Sequence, residues 1–375
     1  MDVLFLSVST GGGHLKAAQA LKERIAQLYP LSRTLIVDTL KHVNPFIDKL
    51  IIGSYLKALK NSPQIYGKLY DISESGENIY DLSKTVNRIL SFRIKRLIYD
   101  FDPSVIVCTH PFPLQMVVNL KLMHKVTIPT VAVITDYTAH SFWLHDNVDA
   151  YVVANNHMKY EMIDRGIFGD IIFPYGIPVS SDFLQRKNRL TLIKELGLDN
   201  KLTVLFMGGS LGYGEIKNNF LSILHCKKDL QIVVVTGSNT KLKGQLEACA
   251  CGSSKKVLIL SYTNRIADLM DISDFIITKP GGMTISEALV KELPIFLISP
   301  IPGQEERNAQ YLVNNGAAVR IFDNDKLDNI LLQIMDNTLR IRHMKEMAKH
   351  LAHPNATEDV IGLLKRLNVL KQLTV

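Results

Sequence analysis

Two loops of this chain hold residue types that can do chemistry. Ile276-Ile277-Thr278-Lys279-Pro280-Gly281-Gly282-Met283-Thr284-Ile285-Ser286-Glu287 passes from an apolar strand, through two glycines, into a helix. The glycines let a ligand approach the backbone, and the helix's first turn offers N–H groups without intrahelical acceptors, so the pattern predicts a diphosphate seat. Glu287, one turn on, can accept hydrogen bonds from a ribose diol, and Gln304-Glu305 in a neighbouring loop can read sugar hydroxyls. Together they suggest a nucleotide-sugar site. The second loop, Ser9-Thr10-Gly11-Gly12-Gly13-His14, closes the first strand and opens a helix. His14 there is suited to act as a base at neutral pH, although a glycine turn with a solvated histidine is the plainer reading. This second loop is neither a Walker P-loop nor a dinucleotide fingerprint.

Other polar clusters also fall at strand ends. Thr135-Asp136-Tyr137-Thr138-Ala139-His140 follows an apolar run, with Phe142, Trp143 and His145 close behind. Asp136 can orient a histidine or accept a hydroxyl proton, and Trp143 can wall an apolar substrate, against the simpler alternative of loop packing. We place Gly12, Gly13, His140 and Trp143 on the acceptor side. Gly208, Gly209 and Ser210 are expected to face the donor, as are Thr236 and the pair Tyr262 and Thr263, each at the end of a strand. No third and fourth ligand accompany His140 and His145, so no metal is expected there. Asp323-Asn324-Asp325 spells a metal-binding Asp-x-Asp but precedes an amphipathic helix, where turn and N-cap are the better explanation.

Short apolar runs alternating with amphipathic stretches predict α/β architecture with parallel sheets. Strands are expected at Val3–Val8, Thr34–Asp38, Val105–Cys108, Thr130–Ile134 and Tyr151–Ala154. A second series is expected at Thr203–Met207, Ile232–Val235, Val257–Leu260, Phe275–Thr278, Ile295–Ile298 and Ala318–Ile321. Pro174-Tyr175-Gly176-Ile177-Pro178 interrupts both periodicities, which places two Rossmann-like, doubly wound domains at 1–176 and 177–375 with the ligand cleft between them. The last helix is expected to pack back on the first domain. The long segment from Phe46 to Asp100 carries Lys84, Arg88, Arg93, Lys95 and Arg96 beside apolar positions; it can rest on an anionic bilayer or pack as an ordinary surface helix.

The 375 residues, 47% hydrophobic and 21% charged, are those of a globular protein, and a net charge of +7 favours anionic partners. No zinc-finger or RNP-like pattern supports nucleic acid. The four cysteines, Cys108, Cys226, Cys249 and Cys251, have no framework spacing, which fits a reducing cytosol. No leader and no run of about 20 apolar residues is read, so membrane contact is expected to be peripheral.

The chain resembles the processive diacylglycerol glucosyltransferases and monogalactosyldiacylglycerol synthases, related to the MurG-type enzymes. The resemblance is carried by the Gly11-Gly12-Gly13-His14 loop, Thr135-Asp136 with His140, Trp143 and His145-Asp146-Asn147-Val148-Asp149, the Lys279-Pro280-Gly281-Gly282 turn, and Gly303-Gln304-Glu305 with Asn308. It implies the GT-B fold and inverting transfer of a hexose from a UDP-sugar to diacylglycerol or a related lipid, at the cytoplasmic face of the membrane and without a metal or other cofactor. It further implies Gly281, Gly282 and Thr284 at the diphosphate, Glu287 on the ribose, Gln304, Glu305 and Asn308 near the sugar, and His14 as base, with Asp136 the second candidate. Ser210 and Leu211 break the family's denser glycine run. The rivals are MurG-like N-acetylglucosaminyl transfer to a lipid-linked precursor, a UDP-sugar epimerase of the same fold, and a non-catalytic UDP-sugar sensor.

Overall fold

The computed structural model describes residues 1–9, 12–43, 91–208, 216–322 and 325–373. The chain forms two compact units, Met1–Ser181 with Ile301–Gln304 and His353–Val375, and Asp182–Pro300 with Glu305–Ala352. Residues 44–90, and with them Lys84 and Arg88, lie outside the described residues.

Unit 1 is built on β1 (Val3–Ser7), β2 (Thr34–Asp38), β3 (Val105–Cys108), β4 (Thr130–Val133), β5 (Ala150–Val152) and β6 (Ile172–Phe173). All pair in parallel, in the order β2-β1-β3-β4-β5-β6. The central strands β1, β3 and β4 are buried along their whole length, as continuous apolar runs covered on both faces must be. Phe5, Val107 and Val131 stand in register and pack with Leu21 and Ile25 of the Gly13–Leu28 helix and with Val360, Ile361 and Leu364 of the Ala356–Leu373 helix. Gly176 (φ +91°) meets this last segment so closely that an added Cβ would lie 2.3 Å from His353 Cβ, so both conformation and space demand glycine.

Unit 2 contains β7 (Thr203–Met207), β8 (Gln231–Val235), β9 (Val257–Leu260), β10 (Phe275–Thr278), β11 (Ile295–Leu297) and β12 (Ala318–Arg320). They form a second parallel sheet in the order β12-β11-β10-β7-β8-β9. Lys291 and Asp271 are almost fully buried and paired at 2.7 Å, and the Lys291 ammonium also donates to the Gln185 carbonyl at 2.6 Å, which ties the segment opening this unit to its interior.

In each sheet the strand order reverses at one place, between β1 and β3 and between β7 and β10. A doubly wound sheet opens a crevice outside the carboxyl ends of its strands at such a reversal. The loops after β1, β3, β7 and β10 are therefore the ones placed to meet ligands.

Several expected strands end early. Ile134, Val153 and Ala154 stay buried but lie beyond the last ladder pair, because apolarity reports burial while a strand ends with its pairing. β6 was not expected; two residues before Pro174 are too few to show a period. Asp325 does not cap the Leu327–Met335 helix: its carboxylate accepts from Phe322 N–H at 2.8 Å, Lys326 holds the cap position, and Asp323 and Asn324 lie outside the described residues. The described part of the basic segment, 91–101, is a helix that buries Ile94 and Ile98 while Arg96 faces solvent beside Asp100. Among the described residues no helix is long and apolar enough to cross a membrane.

Candidate active site

At the reversal in unit 1, Gly12 caps the Gly13–Leu28 helix with φ 81°, a left-handed conformation that glycine adopts without cost, and delivers His14 in the first turn. His14 Nδ1 is 2.7 Å from Thr135 Oγ1, just past β4. Its ring meets His110, just past β3, edge to face with centroids 4.7 Å apart. Thr109 beneath them donates its hydroxyl to Ser7 Oγ at 2.9 Å, which locks the ends of β1 and β3 together.

Burial pushes the His14 imidazole below its usual pKa, while the Asp136 charge and a hydrogen bond to the Thr109 backbone pull the other way. His14 is therefore neutral at pH 7, as a base must be, with a carboxylate at hand to favour the imidazolium once formed. Burial and then the charge of His14 hold His110 well below the ordinary histidine range.

At the reversal in unit 2, Thr278 ends β10 and Gly281 caps the Gly282–Val290 helix without any side-chain cap bond. A Cβ built on Gly281 would meet nothing within 4 Å, and its φ of −71° suits any residue. Among the described residues nothing requires a glycine here. Burial lowers the Lys279 ammonium below the usual lysine range, with the Glu305 charge opposing. Glu287 is buried on the second turn of the helix. Among the described residues no group of three or more His, Cys, Asp or Glu side chains could hold a metal ion.

Against known proteins, residues 14–179 match the family model for monogalactosyldiacylglycerol synthase and residues 203–360 that for the glycosyltransferase family 28 C-terminal domain. The processive diacylglycerol β-glucosyltransferase of Bacillus cereus strain AH187 is 31% identical over 370 residues, covering 96% of this chain and 92% of the relative. The chain belongs to this glycosyltransferase family. Acinetobacter baumannii MurG superposes with a TM-score of 0.62 at 17% identity, over 97% of this chain and 99% of that one. The Anabaena HepE complex with UDP gives 0.58 at 12% identity, over 98% and 100%. The fold of both units is thus that of the GT-B glycosyltransferases.

Within this family frame, the remaining expected residues fall into distinct positions. Asn308 is fully buried on the Gln304–Asn314 helix and donates to the Pro280 carbonyl at 3.0 Å, so it braces the glycine turn. Glu305 lies in the first turn of that helix, which Gln304 opens. Thr236, just past β8, donates its hydroxyl to the Leu260 carbonyl at 3.2 Å. Thr263 Oγ1 accepts from Arg265 N–H, and Tyr262 is exposed. Gly208 is buried directly after β7, whereas Gly209 and Ser210 lie outside the described residues. Trp143 is 1% exposed and packs within unit 1, and the His140 ring caps the Ser141–Trp143 turn by accepting from Phe142 N–H. His145 is held between the Phe142 carbonyl and Tyr151.

One residue at the centre of unit 1's polar cluster, His110, was not singled out from sequence. The available signal was a histidine two residues past a fully buried strand, in Cys108-Thr109-His110-Pro111, the same strand-end position that drew attention to Asp136.

Proposed function

We propose that this enzyme transfers glucose from UDP-glucose to the free hydroxyl of diacylglycerol, with inversion at the anomeric carbon, at the inner face of the cell membrane. The observation that carries the reading is the match of 96% of the chain to a relative named for diacylglycerol β-glucosyl transfer. The net charge of +7 supports approach to an anionic lipid surface.

The reaction is a single displacement. The acceptor oxygen forms its bond to the anomeric carbon as the bond from that carbon to the diphosphate oxygen breaks and UDP departs. His14 takes the acceptor's proton, a role typically worth about 10²–10⁴-fold, and Asp136 steadies the resulting imidazolium. The departing diphosphate is received by the N–H groups of Gly282 to Thr284 and the positive end of their helix, with Lys279 supplying charge beside the turn. Glu287 takes the ribose hydroxyls, and Gln304 and Glu305 the sugar. Gly208, Thr236, Tyr262 and Thr263 serve the donor side; Gly12, Gly13, His140 and Trp143 serve the acceptor side. No step is assigned to a metal.

The test is to incubate the enzyme with UDP-glucose labelled in the sugar and with diacylglycerol in anionic vesicles, and to identify the labelled lipid and its anomeric configuration. A β-glucosyl lipid is expected. Label appearing instead in a new UDP-sugar without lipid, or only in a polyprenyl-linked acceptor, would refute it.

A further inference from the structure

His110 has features that a helix-capping histidine does not need. It follows β3 at the reversal of the unit 1 sheet, where ligands meet doubly wound folds. Its Nδ1 accepts from Phe112 N–H at 3.1 Å, which caps the Pro111–Leu122 helix and fixes the tautomer: the ring's proton is on Nε2. Among the described residues nothing accepts from that Nε2–H, although the ring is only partly exposed and lies edge to face with His14. The other polar groups around it are already matched, Thr135 with His14 and Thr109 with Ser7.

We infer that His110 is a second substrate-contacting histidine: its Nε2–H donates a hydrogen bond to an uncharged oxygen, hydroxyl or ester carbonyl, of the molecules that meet at His14. The inference rests on reading His14 as the base of the transfer. An uncharged oxygen is the fitting partner because the ring stays neutral: burial and the neighbouring His14 both oppose the protonation that a charged partner would favour. The ring thus works at both ends, Nδ1 holding the helix and Nε2 holding substrate, and a single hydrogen bond to the backbone sets the direction of the donor.

Two substitutions separate these ends. Asparagine places an acceptor where Nδ1 sits and is a strong N-cap, but has no group at the reach of Nε2; glutamine reaches Nε2 with an N–H and leaves the helix uncapped. For H110N the structure predicts an unchanged urea midpoint and a kcat/KM for lipid transfer about 10-fold to 100-fold lower, the effect of one lost hydrogen bond to a substrate oxygen. H110Q is expected to be less stable and yet more active than H110N. Full activity in H110N, with H110Q the more impaired, would leave His110 only its capping role and overturn the inference.

The acid limb of the pH profile checks the mode of action. Among the described residues the ionisable groups facing His14 are Asp136 and His110, and His110 is uncharged, so H110N should leave the limb within about 0.3 pH unit. A shift of about one unit or more would mean that His110 acts through His14 and not on substrate. H14A in the same assay keeps the two readings apart. If H14A stays active while H110N is impaired, the base assignment fails and the contact stands; if H14A is inactive and H110N normal, the inference fails alone.

Discussion

The two sheets are alike in topology and opposite in how they equip their reversals. Unit 1 brings side chains there: His14, His110, Thr135 and Asp136, within hydrogen-bonding or ring contact or electrostatic reach of one another. Unit 2 brings mainly backbone: an uncapped helix start, a glycine facing open space, and a buried asparagine that holds the turn in place. The contrast fits the tasks proposed for the two units. Moving a proton near pH 7 needs a group whose pKa the surroundings can tune, and only side chains offer that. Receiving a diphosphate needs fixed donors that do not reorganise, which amides at a helix start provide.

If the division is real, removing a side chain from unit 1 should stop turnover without touching nucleotide affinity. H14A is expected to lower kcat about 10²–10⁴-fold while the calorimetric Kd for UDP stays within twofold. A parallel loss of UDP binding would break the contrast outright. In unit 2 the brace comes next: N308A leaves the buried Pro280 carbonyl without its donor and should cost about 1–3 kcal/mol in urea unfolding, with weaker UDP binding.

G281A sharpens the case for backbone approach. Among the described residues a methyl at 281 meets nothing within 4 Å, so stability should move by about 1 kcal/mol or less while the Kd for UDP rises about 10-fold. Unchanged affinity would show that the ligand does not come near this glycine. The smallest effect tests tuning. Asp136 favours the imidazolium, so D136N lowers the His14 pKa further, and the acid limb of kcat/KM should move to lower pH. A limb moving to higher pH would remove Asp136 from that role.

Much of this was legible in the sequence, for physical reasons that can be named. The strands of parallel sheets are buried on both faces, so Val3–Ser7 and Phe275–Thr278 stand out as apolar runs, and a glycine pair between strand and helix advertises an anion site. Sequence does not carry distance, however. Positions 14, 110 and 135 are brought together only by the order of β1, β3 and β4, so the ring contact between two histidines was invisible until the sheet was built. Asn308 was expected near the sugar because the family resemblance implied it. Its complete burial, and its bond to a carbonyl 28 positions earlier, could come only from packing.

Residues 353–375 add Val360, Ile361 and Leu364 to the interior beneath β1, β3 and β4, yet they follow the whole of unit 2 in the chain. During synthesis the second sheet is therefore complete while the first still lacks part of its apolar filling. Unit 2 can thus complete its sheet first, and unit 1 fills its interior last, when the Ala356–Leu373 helix docks.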